Sequence, residues 1–170
     1  MTRGAFEESL KFYGDRQRDE KKCTALNVQY SAIPKKSVMT VNVEMAKLTG
    51  ATADWENKIY LQLSQYELRH FCELLFGLRK TAEFKYHGAG KNKGLTIHNN
   101  GAQGVMLVIS EAGITLQHLL NHDQRIELGA FVIRRLALSW QVSVSDVLAI
   151  LRQSVAISKT RETGGGNDSQ

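Results

Sequence analysis

One architecture is written twice in this chain: strand-like segments closed by an amphipathic helix that carries its own start signal. In the first unit an alternating segment at 58–64 runs straight into a helical pattern at 66–78. In the second, segments at 81–87, 94–99, 105–111 and 114–120 lead into a helix at 124–140. The two periods are not interchangeable, because a strand turns every second side chain to the core and a helix every third or fourth. Ser64 with Glu67 reads as a capping box, and Asn121 with Gln124 repeats the logic. A four-stranded sheet served by a single helix leaves one sheet face uncovered.

The first unit reads as three strands. At 23–33 Leu26, Val28 and Tyr30 oppose Asn27, Gln29 and Ser31; Pro34-Lys35-Lys36 is a turn; at 38–47 Met39, Val41, Val43 and Met45 oppose Thr40, Asn42 and Glu44. A polar loop at 49–57 carries Trp55, and the third strand turns Ile59, Leu61 and Leu63 inward and Lys58, Tyr60 and Gln62 outward. The pattern gives no clear fourth strand. The helix that follows has its stripe at Leu68, Phe71, Cys72, Leu75 and Leu78, with Gly77 as a stop.

In the second unit, Ala82, Phe84 and Tyr86 oppose Glu83, Lys85 and His87, while Leu95 and Ile97 oppose Thr96 and His98. The glycine-rich stretch 88–94 is a hairpin loop with Lys91 and Lys93, and 99–104 is a second turn. Residues 105–109 are apolar on both faces, which marks a central or interface strand. The helix 124–140 carries more apolar surface than one sheet can cover, including Phe131, Val132, Leu136 and Leu138, which points to packing between subunits. Trp140 closes it as a packing residue. Ser143 and Asp146 open a third helix, with Val147, Leu148, Leu151 and Val155 on one stripe. The expected organisation is a mobile arm over 1–22, weakly helical at 6–13, one domain over 23–157, and a disordered tail over 158–170.

The formal charge of +5 favours polyanionic partners. No stretch approaches the roughly 18 apolar residues a membrane span needs, so no membrane partner is expected. The acidic residues among positions 1–22 fit neither a transit peptide nor a secretory signal, and the expected location is the cytoplasm. Cys23 and Cys72 have neither metal nor redox spacing, and Cys72 reads as a small buried hydrophobe.

The outward basic and aromatic residues form a candidate nucleic-acid-binding set: Lys58, Tyr60, Gln62, Lys85, His87, Lys91, Lys93, Thr96 and His98, with Lys35, Lys36 and Trp55 from turns. Single-strand binders combine a positive groove for phosphates with aromatic platforms for bases. The same residues also describe a solvated sheet face with lysines on its loops. Trp55 could equally plug the core, and Tyr60 could fill a subunit interface. His70, His87, His98, His118 and His122 match no zinc spacing, so no metal is expected. The 88–94 loop lacks the strand–loop–helix context and the Lys-Ser/Thr end of a phosphate-binding loop. No nucleophile–base pair or carboxylate pair stands out, so no catalytic residue and no cofactor are expected.

The segment 54–71, in which Trp55 precedes a strand that runs directly into a capped helix, resembles the Whirly family and its relatives, the kinetoplastid guide-RNA-binding proteins and the positive-cofactor coactivators. The strand at 82–87 and the helix ending Leu138-Ser139-Trp140 are similar to the family's as well, and the likeness spans residues 23 to 140. Thr24-Ala25-Leu26-Asn27 stands where the family carries a lysine-alanine motif. The resemblance implies an α+β, Whirly-like fold: two antiparallel sheets, each followed by a helix, packed crosswise with the helices between them, plus here a C-terminal helix. It implies a four-subunit ring, with single-stranded nucleic acid along outward sheet edges. Without a transit peptide, a bacterial, phage or plasmid relative is expected. The function so implied is non-enzymatic, largely sequence-independent binding of single-stranded DNA through backbone charge and base stacking, by a homo-oligomer, a tetramer. Two alternatives are an RNA-binding or annealing protein of the same fold, and a protein–protein assembly or regulatory module that docks through the 143–155 helix.

Overall fold

The structure, a computed structural model, describes residues 8–15, 17 and 19–164 of the 170. The first sheet is built on a long hairpin, β2 (Thr24–Ile33) with β3 (Val38–Thr49), in continuous register from Thr24↔Lys47 to Ile33↔Val38. A tight turn at Pro34–Lys36 connects them. β1 (Ser9–Tyr13) adds antiparallel to β2. The short β4 (Thr52–Ala53) extends the end of β3, and β5 (Ile59–Gln62) pairs with β3 as the far edge. The second sheet is a meander of β6 (Thr81–His87), β7 (Lys93–Asn99), β8 (Val105–Glu111) and β9 (Ile114–Leu120). Three helices complete the chain: α1 (Gln65–Leu75), α2 (His122–Trp140) and α3 (Val144–Gly164).

Both expected capping boxes form. Glu67 N–H donates to Ser64 Oγ at 3.2 Å while Ser64 N–H donates to the Glu67 carboxylate at 2.8 Å; Asn121 and Gln124 exchange the equivalent bonds at 2.8 and 3.0 Å. α1 stops at Gly77, whose φ of +76° lets Leu78 N–H turn back to the Glu73 carbonyl at 2.8 Å, a Schellman-type ending. Helical dihedrals thus end before Leu78, which packs, half-buried, against the core.

Alternation fixes the faces. Leu26, Val28 and Tyr30, with Val43 and Met45 opposite, turn inward in the first sheet; Phe84, Leu95, Ile97, Leu107 and Ile109 do so in the second. α1 and α2 pack on these faces and on each other, giving one contiguous core. β8 is the central strand its two apolar faces predicted, between β7 and β9. Two buried arginines tie the layers. Arg125 donates to the Leu74 and Leu75 carbonyls at the end of α1 and to Gly101; Arg135 donates to Thr40 and Ser31 carbonyls of the first sheet. These bonds tie α2 to the end of α1 and to the first sheet.

Three expectations are corrected. The missing fourth strand of the first sheet lies in the presumed arm: Ser9–Tyr13 is β1, with Phe12 buried opposite Leu26. The rest of that arm is described at 8, 14, 15, 17 and 19–22; residues 1–7, 16 and 18 lie outside the described residues. The presumed tail is helical from Ser158 to Gly164 as the last turns of α3, and 165–170 lie outside the described residues. The excess apolar surface of α2 is smaller than expected. Phe131, Val132 and Leu136 are covered by the same chain, partly because Val147 and Leu151 of α3 pack into the core, and Ile126 and Leu138 stay exposed.

Candidate nucleic-acid interface

β5 is an edge strand, and its alternation buries Ile59 and Leu61 while Tyr60 stands on the outer side, 48% exposed. Facing it, the β6–β7 hairpin closes a cleft of about 640 Å³ lined by Tyr60, Gln62, His87, Gly88, Asn92, Lys93 and Glu111. A second cleft, about 590 Å³, also reaches Glu111 and is lined by Lys47, Asp54, Glu56, Lys58, Ile59, Ile114 and Leu116. A third, about 470 Å³, shares Lys47, Ile114 and Leu116 and adds Lys21, Lys22, Thr115 and Gln117. Shared walls join the three into one groove between the first sheet and the hairpin ends of the second. Lys21, Lys22, Lys47, Lys58 and Lys93 line it against Asp54, Glu56 and Glu111, so cations prevail along its length.

Tyr60 is the aromatic centre of this groove. Lys93 Nζ donates to the Tyr60 carbonyl at 3.1 Å and lies 4.1 Å from the ring centroid, with Glu111 at 3.7 Å. Lys58 Nζ lies 5.4 Å from the same ring and donates to Glu44 at 2.9 Å. Glu44, buried on the outer face, also accepts from Asn27 Nδ2 at 2.9 Å. The ring thus sits in the field of two ammonium groups, a cation–π arrangement that holds it in one orientation. A base stacked there would find its phosphate within reach of a lysine.

The remaining candidates divide by location. Gln62 lines the groove but uses its amide on Ser31 and the Ala32 carbonyl. His87 Nε2 meets the Glu67 carboxylate at 2.9 Å, which pins the hairpin to α1. Lys91 is exposed at the hairpin tip with φ +52°. Lys35 and Lys36 are exposed on the β2–β3 turn and line none of the three clefts. Lys85 pairs with Glu83 at 3.2 Å on the outer face of the second sheet, and Thr96 and His98 share that face, away from the groove. Trp55 packs edge-on against Tyr13, centroids 6.3 Å apart, as a half-buried plug between the β3–β5 connection and β1. The structure therefore brings Lys58, Tyr60, Gln62, His87 and Lys93 together and leaves the rest outside. The sequence reading missed Lys21, Lys22, Lys47, Ile114 and Leu116, all at strand ends or turns where alternation carries no signal.

Other titratable groups have structural roles. Burial pushes the Cys72 thiol up, out of the range of reactive cysteines. His70 is held below its ordinary value by burial and by Arg79 and Arg69. His118 is fully buried at the junction of the sheets. Its Nδ1 lies 2.8 Å from Thr24 Oγ1, whose proton goes to the Gln117 carbonyl, so Nδ1 carries the hydrogen and Nε2 is left without a partner among the described residues. Burial lowers its pKa to about 4, against the opposing pull of Asp15. Among the described residues no cluster of three His, Cys, Asp or Glu side chains is arranged to hold a metal.

No family model matches this chain, and no curated protein matches it in sequence. Solved structures do match in fold. The plant transcriptional regulator PBF-2 is 16% identical, with a TM-score of 0.59 over 79% of this chain and 92% of its own. WHY3 of Arabidopsis thaliana is 15% identical, with a TM-score of 0.59 over 89% and 98%. Trypanosome MRP1/MRP2 is 14% identical, with a TM-score of 0.56 over 78% and 85%. What the chain shares with them, at this level of identity, is the fold, and that fold is Whirly-like.

Proposed function

We propose that this is a non-enzymatic single-stranded DNA-binding protein, and that the strand runs along the groove between the two sheets. The observation that carries this reading is the exposed Tyr60 ring with the Lys93 and Lys58 ammonium groups beside it in a lysine-lined groove on a Whirly-like scaffold. Phosphates are neutralised along the groove by Lys21, Lys22, Lys47 and Lys93, and unpaired bases stack on aromatic side chains. Stacking contributes about 1–3 kcal/mol per base whatever its identity, so little sequence preference is expected. A duplex keeps its bases stacked on one another and must spend a few kcal/mol to expose one, so the single strand binds better. The active form is a homo-oligomer, a tetramer, built on the apolar residues left exposed on α2 and α3.

The test is fluorescence anisotropy with one sequence as single-stranded DNA, as RNA and as duplex, between about 50 and 200 mM salt. Single-stranded DNA should bind tightest, with log affinity falling against log salt by about 0.7 for each phosphate contacted. Tighter binding of RNA makes RNA the ligand of the same groove. Equal affinity for duplex, or no binding at low salt, refutes the proposal.

A further inference from the structure

Tyr86 breaks a backbone rule. Between the pairs Phe84↔Leu95 and His87↔Lys93, two residues of β6, Lys85 and Tyr86, face one residue of β7, Gly94. This is a β-bulge, and Tyr86 adopts φ +63° in it. That left-handed conformation suits glycine; a bulky side chain there is strained by roughly 1–2 kcal/mol. Strain of this kind persists where something else requires the side chain. Packing does not require it, because Tyr86 is 76% exposed, the highest value among the large apolar and aromatic side chains of the described residues, and no other described ring or cation lies on it.

Its neighbours in the chain border the groove and the hairpin tip. His87, the next residue, lines the groove, and its bond to Glu67 fixes the bulge against α1. Lys85 and Lys91 flank the ring in sequence, on the strand before it and at the hairpin tip after it. Tyr60, the aromatic inside the groove, already has the Lys93 ammonium on its ring, whereas Tyr86, one residue before the groove-lining His87, presents an open ring to solvent.

We propose that Tyr86 is a base-stacking platform that takes the nucleotide leaving the groove past the β6–β7 hairpin, and that the bulge exists to present its ring. This rests on the nucleic-acid reading above and extends it to a subsite. The bulge leaves the ring in solvent, and Lys91, exposed at the hairpin tip that follows, offers the strand a cation past the groove.

The discriminating variant is Tyr86→Gly, with Tyr86→Phe as its conservative partner. Glycine relieves the left-handed strain and removes no buried contact, so the melting temperature should stay level or rise. Affinity for a single-stranded DNA long enough to pass the hairpin should fall roughly 5- to 150-fold, the loss of one stacked base. The salt slope should stay unchanged, because no phosphate contact is lost, and Tyr86→Phe should bind as the parent does. Unchanged affinity of Tyr86→Gly, with the parent binding normally, overturns the platform and leaves the groove standing. A lower melting temperature or a smaller particle by light scattering assigns the ring to packing or to a subunit contact and also overturns it. A parent protein that does not bind single strands at all defeats the nucleic-acid reading and the platform with it.

Discussion

Acid should loosen this fold through His118. The imidazole ties β9 to β2 through Thr24, beside Asp15, whose carboxylate accepts from Leu119 N–H and Thr24 N–H. It is buried in its neutral form, and protonation would place a new N–H on Nε2 where no described residue accepts it. The pKa falls from the ordinary 6.5 to about 4 on folding, with burial the main cause. The sign follows directly. The unfolded chain takes up the proton more readily, so this contribution is fully present above about pH 6.5 and is lost as pH falls towards 4. Each pH interval of one between the two values removes about 1.4 kcal/mol, which amounts to about 2–3 kcal/mol by pH 4.5. Carboxylates titrate in the same range, so the measurement is a difference. Urea unfolding of the parent and of His118→Phe should be followed between pH 7 and 4.5. Phenylalanine keeps a ring of similar size and removes the titration, so its stability should fall less steeply with acid, by about 2–3 kcal/mol over the range. Parallel pH dependences would mean that His118 is not held neutral, and the reading of this junction would be wrong.

Two further outcomes are expected. Lys91→Gln, at an exposed hairpin tip with no ion-pair partner among the described residues, should leave stability unchanged and reduce the salt slope by about 0.7 on single-stranded DNA. An unchanged slope would mean that the strand does not pass the hairpin tip. Leu138→Glu, with Leu138 52% exposed on α2, should dissociate the oligomer, seen as a smaller mass by light scattering with the helix content retained. A parent protein that is already monomeric at micromolar concentration would remove the oligomer proposal.

The second sheet was the more legible half of the chain. Its strands are short apolar or alternating runs separated by glycine- and asparagine-rich turns, so Thr81–His87, Val105–Glu111 and Ile114–Leu120 form where the pattern put them. β1 was illegible because only Leu10 and Phe12 mark its inner face among charged neighbours, and its existence depends on pairing with β2. The extension of α3 was missed for a related reason: past Ser158 no core-facing stripe remains, and the helix continues on local propensity. The site was half legible. Alternation alone put Tyr60 outward, but nothing local says that Lys93 and Glu111, thirty and fifty residues on, come back to it. Trp55 shows the same limit, since its partner Tyr13 lies on the strand the pattern did not reveal.

The path of the nucleic acid can be read directly by lysine modification. The protein is acetylated with and without saturating single-stranded DNA, and each lysine is quantified by mass spectrometry. Lys21, Lys22, Lys47, Lys58 and Lys93 line the groove and should be protected; Lys11, on the outer face of β1, and Lys80, before β6, should react as they do in the free protein. Protection of Lys11 and Lys80 with the groove lysines unchanged would place the strand on another face and contradict the groove as the binding site.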